Sequence, residues 1–366
     1  MASSIKNQPP PTPFDDMDWY FIIKLAEKHN VLLMIAPALK KLILPDHAAK
    51  LFKSLYNFYV ARVTRQNIEA SVVMSGLERE NIRYLKMKGS HIKEYYPNEM
   101  MRSFTDVDLY IDPEIREKAA HVLESLGYEL KNSTDYHDEF EKDSFYIYEL
   151  HTKVVSEQEK YKSVFENAFD KAVSENGTLS YRLKNEYLYL HLFFHLYKHF
   201  TNSGCGIRFF ADFLVFKEYA KDTDFEFIFS VLKKYKMTGF YNTLENLMVY
   251  FFEDKPTDKT CEKTALYIFT SETTGDSMLN MANYNGIQKL IYFSKIWFPS
   301  AKVLESRYPV LKKAPVLLPF CWIKRGFDSV FINRSSLKGH IDEIRTLNSN
   351  KYKSIKKTRQ QATKEK

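Results

Sequence analysis

Three features of the sequence predict an α+β protein in which helices dominate. The chain has only 11 glycines in 366 residues, less than half the usual ~7%. A sandwich or barrel needs glycine at most of its turns, so these all-β folds are disfavoured. Most segments place apolar residues at helical spacing, whereas strand-like segments cluster at residues 81–155. We therefore expect a small α+β unit between a helical lead-in and a large helical remainder.

The first predicted elements are helices that precede the small unit. Met17–Asn30 places apolar side chains at helical spacing. A longer helix is predicted from Asp46, a suitable N-cap residue, to about Glu80, because no proline interrupts this stretch. These segments make up the predicted helical lead-in, residues 1–80.

The small unit, residues 81–156, combines strands with one helix. Its segments that alternate or run apolar and aromatic are predicted to be strands, namely Arg83–Lys88, Phe104–Ile111, Tyr128–Lys131 and Ser144–His151. Glu114–Leu126 is predicted to be a helix that ends at Gly127. The acidic segment Asp135–Asp143 is expected to be a loop. No G-x-G-x-x-G motif occurs, which argues against a dinucleotide-binding fold.

Beyond about residue 157 the pattern is almost entirely helical. The clearest predicted helices are Asn185–Phe200, Arg208–Tyr219, Phe225–Lys234, Phe240–Phe252, Gly286–Trp297 and Leu337–Asn348. We therefore predict a helical C-terminal domain over residues 157–335. A terminal helix and a basic tail are expected over residues 336–366.

Cysteine usage and charge indicate a cytoplasmic protein. Three cysteines that lie far apart exclude a disulfide framework and a C-x-x-C metal site. We find neither a signal-peptide core nor the ~20 apolar residues of a membrane span. The net charge is +7, and residues 351–366 carry six lysines and one arginine against one glutamate. We favour a solvated terminus over a polyanion or membrane contact for this tail.

The strongest chemical signal is a set of carboxylates on predicted strands. Asp106 and Asp108 are two residues apart, so their side chains share one face of a strand. Two carboxylates this close repel each other unless a cation lies between them, and oxygen ligands suit Mg²⁺. Glu149 on another strand could complete a two-metal site. A solvated strand face is the alternative for each aspartate taken alone.

A short turn upstream adds a second part of the same chemistry. Lys88, Gly89 and Ser90 follow a predicted strand and open a predicted helix. Backbone N–H groups and a hydroxyl at such a turn can bind phosphate oxygens. A phosphate-binding turn together with metal-binding carboxylates indicates phosphoryl or nucleotidyl transfer.

Three histidines form a second cluster. His191, His195 and His199 are spaced four residues apart, so they fall on one face of a helix. We favour a polar face that lines a cleft over a zinc site. Arg208 and Asp212 on the next predicted helix could help to shape the same pocket.

These motifs resemble the uncharacterised nucleotidyltransferase family of the DNA-polymerase-β-like superfamily. The resemblance covers roughly residues 19–325. The segments that carry it are YLKMKGSHIKEYYPNEMMRSFTDVDLYI, YELHTKV, YLHLFFHLYKHF, GIRFFADF and FPSAKVLESRYPVLKKAPVLLPFCWIKR. The resemblance implies a polymerase-β-like palm, which is a small mixed sheet with helices, and a large helical C-terminal region.

The resemblance also implies roles for individual residues. The implied catalytic residues and Mg²⁺ ligands are Asp106, Asp108 and Glu149, with Glu149 also a candidate base. The implied nucleotide-binding residues are Lys88, Gly89, Ser90 and Arg102. The candidate residues of the substrate pocket are His151, His195, His199, Arg208 and Asp212.

The resemblance implies transfer of a nucleoside monophosphate from an NTP to a hydroxyl acceptor, with Mg²⁺ as cofactor. The acceptor could be a small molecule, a sugar, or a peptide or protein. The basic tail keeps open a transferase that modifies nucleic acid, such as tRNA. A non-catalytic nucleotide-binding protein on the same fold is the third alternative, because a fold does not determine a function.

Overall fold

The computed structural model describes residues 1–13, 17–104, 106–143, 146–202, 204–253, 255, 258–270, 310, 314–322, 358 and 361–364. The chain divides into two compact units. The first comprises Met1–Lys198, Cys205–Thr273 and Ala362–Lys366, and the second comprises His199–Gly204 and Thr274–Gln361. Among the described residues of the second unit, Cys321 is buried and packs against Leu317, Leu318 and Trp322.

The described residues include the following α-helices. They are α1 (Ala2–Ile5), α2 (Trp19–Lys28), α3 (Leu32–Leu39), α4 (Asp46–Arg79), α5 (Lys88–Ile92), α6 (Arg116–Ser125), α7 (Asn185–Thr201), α8 (Arg208–Tyr219), α9 (Phe225–Lys234), α10 (Thr238–Phe252) and α11 (Lys259–Thr270). The bounds of α8 and α9 confirm the sequence prediction. The helices predicted at Gly286–Trp297 and Leu337–Asn348 lie outside the described residues. Within the described chain, no helix is both long enough and apolar enough to cross a bilayer.

Seven strands within the described part of the chain form one sheet. They are β1 (Tyr84–Lys86), β2 (Asp106–Tyr110), β3 (Glu129–Ser133), β4 (His137–Lys142), β5 (Tyr146–His151), β6 (Ala172–Ser174) and β7 (Ser180–Leu183). Their order across the sheet is β3-β4-β5-β2-β1-β7-β6. The pairs β2–β5 and β1–β7 are parallel, and the other neighbours are antiparallel. The sheet is therefore mixed, which confirms the α+β class.

Two sequence predictions about this sheet were wrong. The expected loop at Asp135–Asp143 contains β4, whose residues are nearly all charged. The strand forms because Phe140 enters the core, while the buried Asp138 is neutralised by Arg116, whose Nε lies 2.7 Å from Asp138 Oδ2. The helical pattern expected after residue 157 is interrupted by β6 and β7. The sheet thus reaches Leu183, beyond the predicted boundary at residue 156.

One face of the sheet packs on α4 and α6. On β2, the core-facing residues are Val107 and Leu109, and Ile111 follows at the end of the strand. Because side chains alternate along a strand, Asp106 and Asp108 lie on the other face. Gly76 allows α4 to approach α6, since a Cβ at this position would lie only 2.9 Å from Val122 Cγ1. The apolar face is therefore filled, and the opposite face is available for chemistry.

The strand β7 leads into α7, which packs on α8 through aromatic rings. Tyr189 lies 5.1 Å from Phe213 and 5.3 Å from Phe216, measured between ring centroids. Phe216 also stacks at 6.3 Å on Tyr95, which follows α5. These contacts bring α8 close to the chain segment between β1 and β2.

Candidate active site

The site begins with a row of carboxylates across two parallel strands. The register places Asp108 on β2 directly beside Glu149 on β5. Asp106 lies two residues before Asp108 on the same face. Asp108 is buried, whereas Asp106 and Glu149 are half-buried. The structure therefore brings together the three carboxylates that the sequence singled out.

Lys88 places a positive charge on this row. Its Nζ lies 2.5 Å from Asp108 Oδ1 and 4.0 Å from Glu149 Oε2. Its backbone φ is +46°, which lies in the left-handed region that residues other than glycine and asparagine seldom adopt. Burial opposes the charge on Lys88, but attraction by Asp108, Asp106 and Glu149 outweighs burial and raises its pKa. Lys88 is therefore a cation held at the carboxylates by an unusual backbone conformation.

His151 joins the same carboxylates from β5. Its Nε2 lies 2.9 Å from Asp108 Oδ1 and 3.0 Å from Glu149 Oε2. Burial lowers the pKa of His151, but its hydrogen bonds to the two carboxylates raise it more. Burial alone would raise the pKa of Asp108. The charge of Lys88 and the hydrogen bond to His151 outweigh burial and hold that pKa well below its ordinary value. Asp108 is therefore ionised, with the Lys88 ammonium and the His151 imidazole as its partners.

The carboxylates have the chemistry of a divalent-cation site. Ligand atoms of Asp108, Glu149 and His151 lie within 4.8 Å of one another. Lys88 already places a cation against two of these residues, as expected where like charges must be compensated. Asp106, on the same face, can add another hard oxygen ligand. These residues therefore fit a divalent metal.

The turn after β1 is tied to the carboxylate strand. Ser90 is buried, and its Oγ donates to the backbone oxygen of Met87 at 2.6 Å and to that of Asp108 at 3.3 Å. Gly89 lies against Arg102, because a Cβ at Gly89 would lie 3.5 Å from Arg102 Nη1. The Ser90 hydroxyl thus anchors the turn to β2, and the buried Gly89 packs against the Arg102 side chain.

Helix α8 supplies a buried ion pair behind this turn. Arg102 donates from Nε to Asp212 Oδ1 at 2.7 Å and from Nη2 to Asp212 Oδ2 at 2.9 Å. The Tyr96 hydroxyl donates to Asp212 Oδ1 at 2.8 Å. Arg208 is also buried and donates to the Ser103 carbonyl at 3.2 Å. Burial and the charge of Arg102 lower the pKa of Arg208 to about 10, so it is still cationic at neutral pH.

The predicted histidine stripe does not form one metal cluster among the described residues. His191 is buried against Phe165, with ring centroids 5.6 Å apart. His195 is half-buried beside Phe209, and His199 belongs to the second compact unit. Burial lowers the pKa of His191 to about 3. His191 is therefore a neutral interior histidine.

Sequence reasoning missed two residues that β4 brings to the site. His137 pairs with His151, and Glu139 pairs with Glu149, in the β4–β5 register. The rings of His137 and His151 stack with centroids 5.3 Å apart. The signal in the sequence was the alternation of His137, Glu139 and Glu141 with Asp138 and Phe140. Because the segment is rich in charged residues, it was predicted to be a loop and not a strand.

A family model described as "Uncharacterised nucleotidyltransferase" matches residues 15–252. Among solved structures, the chain is similar to the solution structure of the antibiotic-resistance factor ANT(2'')-Ia, with a TM-score of 0.37 and 13% sequence identity. That match covers 50% of this chain and 96% of the other. No curated protein matches the chain.

Proposed function

The chain belongs to the uncharacterised nucleotidyltransferase family, and on this premise we propose that it transfers a nucleoside monophosphate from an NTP to a hydroxyl acceptor with Mg²⁺. The observation that carries the proposal is the carboxylate row, in which Asp108 lies beside Glu149 across β2 and β5. Asp106 extends the row on the same face. Carboxylates grouped on one sheet face and compensated by cations suit the binding of metal-bound phosphates.

We propose that the sheet is a polymerase-β-like palm. Its first strand and the following turn carry Lys88 and Gly89, and the neighbouring β2 carries the aspartates. Because β7 pairs with β1, the proposed palm extends to Leu183. Helices α7 to α11 would then begin the proposed helical C-terminal region.

The carboxylates would hold the metal ions of the reaction. Asp106, Asp108 and Glu149 are the proposed ligands, and bound Mg²⁺ would stabilise negative charge on the phosphates. His151 would fix the orientation of Glu149, since its Nε2 lies 3.0 Å from Glu149 Oε2. Lys88 would then be available to bind a phosphate oxygen instead of Asp108.

The proposed reaction is a substitution at the α-phosphorus of the NTP. The acceptor oxygen forms a bond to this phosphorus, and the bond from the phosphorus to the oxygen that bridges to the β-phosphate breaks. Pyrophosphate leaves with that bonding electron pair. Glu149 accepts the proton of the acceptor hydroxyl.

The arginines divide into positioning and phosphate-binding roles. Arg102 is bound at two points to Asp212 and lies against Gly89, so it would position the turn. Arg208 has no carboxylate partner within salt-bridge distance among the residues that the structure describes. We therefore assign the neutralisation of phosphate charge to Lys88 and Arg208.

The test is nucleotide binding and turnover by the full chain. Purified protein is titrated with each of the four NTPs, with and without Mg²⁺, and products are identified by mass spectrometry against a panel of hydroxyl acceptors. Asp106→Asn and Asp108→Asn should abolish transfer. Asp112→Asn is the matched control, because Asp112 lies just past β2 in a half-exposed pair with Arg83. Transfer that survives in the Asp106→Asn/Asp108→Asn double variant would disprove the proposal.

We favour a small-molecule, sugar or protein acceptor over nucleic acid. The basic segment 351–366 motivated the nucleic-acid alternative, and most of it lies outside the described residues. A gel-shift series over increasing salt checks this choice, since contacts to a nucleic-acid backbone weaken steeply with salt. Binding of tRNA near physiological salt would favour a nucleic-acid acceptor instead. Calorimetry that detects no Mg²⁺-dependent NTP affinity would support a non-catalytic protein instead.

A further inference from the structure

Strand β4 places a second set of ligand atoms next to the carboxylate row. His137, Glu139 and Glu149 offer ligand atoms that all lie within 4.8 Å of one another. The β4–β5 register explains this grouping, because Glu139 lies opposite Glu149 and His137 lies opposite His151 on one sheet face. This set shares only Glu149 with the proposed magnesium ligands, and His137 and Glu139 are its other two members.

The imidazole of His137 is held as a metal-binding histidine usually is. Its Nδ1 lies 3.0 Å from Thr134 Oγ1, and the same hydroxyl lies 3.1 Å from the His137 carbonyl oxygen. The same hydroxyl also accepts a hydrogen bond from the His137 backbone N–H at 3.1 Å, so it ties the ring to the backbone of its own turn and fixes the orientation of the ring. A second partner that orients the ring is typical of histidine ligands.

The donor set determines the kind of ion. One imidazole nitrogen and two carboxylates suit transition metals, whereas Mg²⁺ prefers an all-oxygen octahedral shell. Three protein ligands leave a fourth tetrahedral position for water, as at zinc sites with an open position. Zn²⁺ fits this description.

We propose that His137, Glu139 and Glu149 form a transition-metal site, selective for Zn²⁺ over Mg²⁺, at the β4 side of the carboxylate row. Glu149 is shared between this site and the proposed magnesium ligands. A bound Zn²⁺ would therefore be ligated by the residue to which we assign the acceptor proton, and would withhold Glu149 from that role. The site itself requires only the three side chains and does not depend on nucleotidyl transfer.

The test uses Co²⁺ as a spectroscopic probe and Zn²⁺ as a competitor, with the full chain freed of metal. We expect one equivalent of Co²⁺ with tetrahedral visible absorption, displaced by Zn²⁺ and unaffected by Mg²⁺ at far higher concentration. His137→Ala and Glu139→Gln should remove the absorption. Thr134→Val should weaken binding by about 10- to 100-fold, as for other residues that orient a ligand. His121→Ala is the matched control, because the exposed His121 pairs with Glu124 on α6 and belongs to no three-ligand group among the described residues.

Asp108→Asn distinguishes this site from the neighbouring Asp108–Glu149–His151 group. We expect Asp108→Asn to keep the tetrahedral Co²⁺ signal. Loss of the signal in Asp108→Asn with retention in His137→Ala would overturn the proposal, as would a signal unchanged in Glu139→Gln. Circular dichroism of each variant checks its fold, and His137→Gln replaces His137→Ala if the latter unfolds. Failure to bind Co²⁺ overturns the site alone, whereas loss of NTP transfer with Co²⁺ binding intact overturns only the proposed function.

Discussion

Replacement of Asp212 by asparagine should destabilise the protein strongly. Asp212 is the carboxylate partner of Arg102, and both side chains are almost fully buried, with exposed fractions of 2% and 6%. The asparagine side chain keeps the shape of the aspartate but removes its charge. The change also weakens the hydrogen bond from Tyr96. Arg208, buried nearby, would also lose the attraction of the Asp212 carboxylate.

The expected loss follows from the cost of an unpaired buried charge. Removal of one partner of a buried ion pair typically costs about 3–5 kcal/mol of unfolding free energy. Because the unfolding entropy is about 2.1 cal/mol/K per residue, a compact unit of roughly 270 residues loses slightly under 2 °C per kcal/mol, and this loss lowers Tm by roughly 5–9 °C. Urea denaturation followed by circular dichroism measures the first quantity, and a thermal scan measures the second.

The control is Asp112→Asn, which makes the same chemical change at the surface. Asp112 also receives two hydrogen bonds from an arginine, at 2.7 and 3.1 Å. However, the Arg83 and Asp112 side chains are 45% and 26% exposed, so water screens the pair. The expected loss there is below about 1 kcal/mol. Equal losses in the two variants would refute the reasoning, because they would mean that burial does not determine the strength of the Arg102–Asp212 pair.

Two further predictions concern packing and pH. Gly76→Ala should cost about 1–3 kcal/mol of unfolding free energy, because its Cβ would lie 2.9 Å from Val122 Cγ1. Gly89→Ala should leave Tm nearly unchanged, because its Cβ would meet Arg102 and Phe104 at an ordinary contact distance of 3.5 Å. Equal Tm values for Gly76→Ala and wild type would contradict the close helix packing. Burial lowers the pKa of His91 and of His191 to about 3, below the value of about 6.5 expected in the unfolded chain. The unfolded state therefore binds protons that the folded state excludes, and stability should fall as pH drops from about 6.5 toward 3, by up to about 1.4 kcal/mol per pH unit for each histidine. Urea titrations at several pH values should show a shallower slope in His91→Phe, and an unchanged slope would disprove this origin.

Features encoded by neighbouring residues could be predicted from the sequence. The start of α9 is one, because the Asp224 side chain accepts a hydrogen bond from the Phe227 backbone N–H only three residues later. The shared face of Asp106 and Asp108 is another, since it follows from strand alternation within three residues. Local signals of this kind were enough to predict most of the helices, the core-facing side of β2 and the carboxylates.

Features that depend on distant residues could not be predicted from one sequence. Arg102 and Asp212 are 110 positions apart, and nothing near Arg102 indicates that its charge is already compensated. Glu139 lies opposite Glu149 only because β4 pairs with β5. A segment of mostly charged residues does not predict such a strand. The positive φ of Lys88 depends on how β1 meets β2, and a lysine by itself gives no such indication.

The pairing of β7 with β1 has a consequence for the design of shortened proteins. A fragment that stops at residue 156 would keep β1 but lose its parallel neighbour. The N–H and C=O groups of β1 would then form an open edge, and open edges recruit strands from other molecules. Such a fragment should aggregate during recombinant expression. One that continues through α10 to Phe252 keeps the closed edge, the partner of Arg102, and the rings of Phe240 and Phe251 that cover α7 and α8, and is the shorter form we would expect to remain monodisperse.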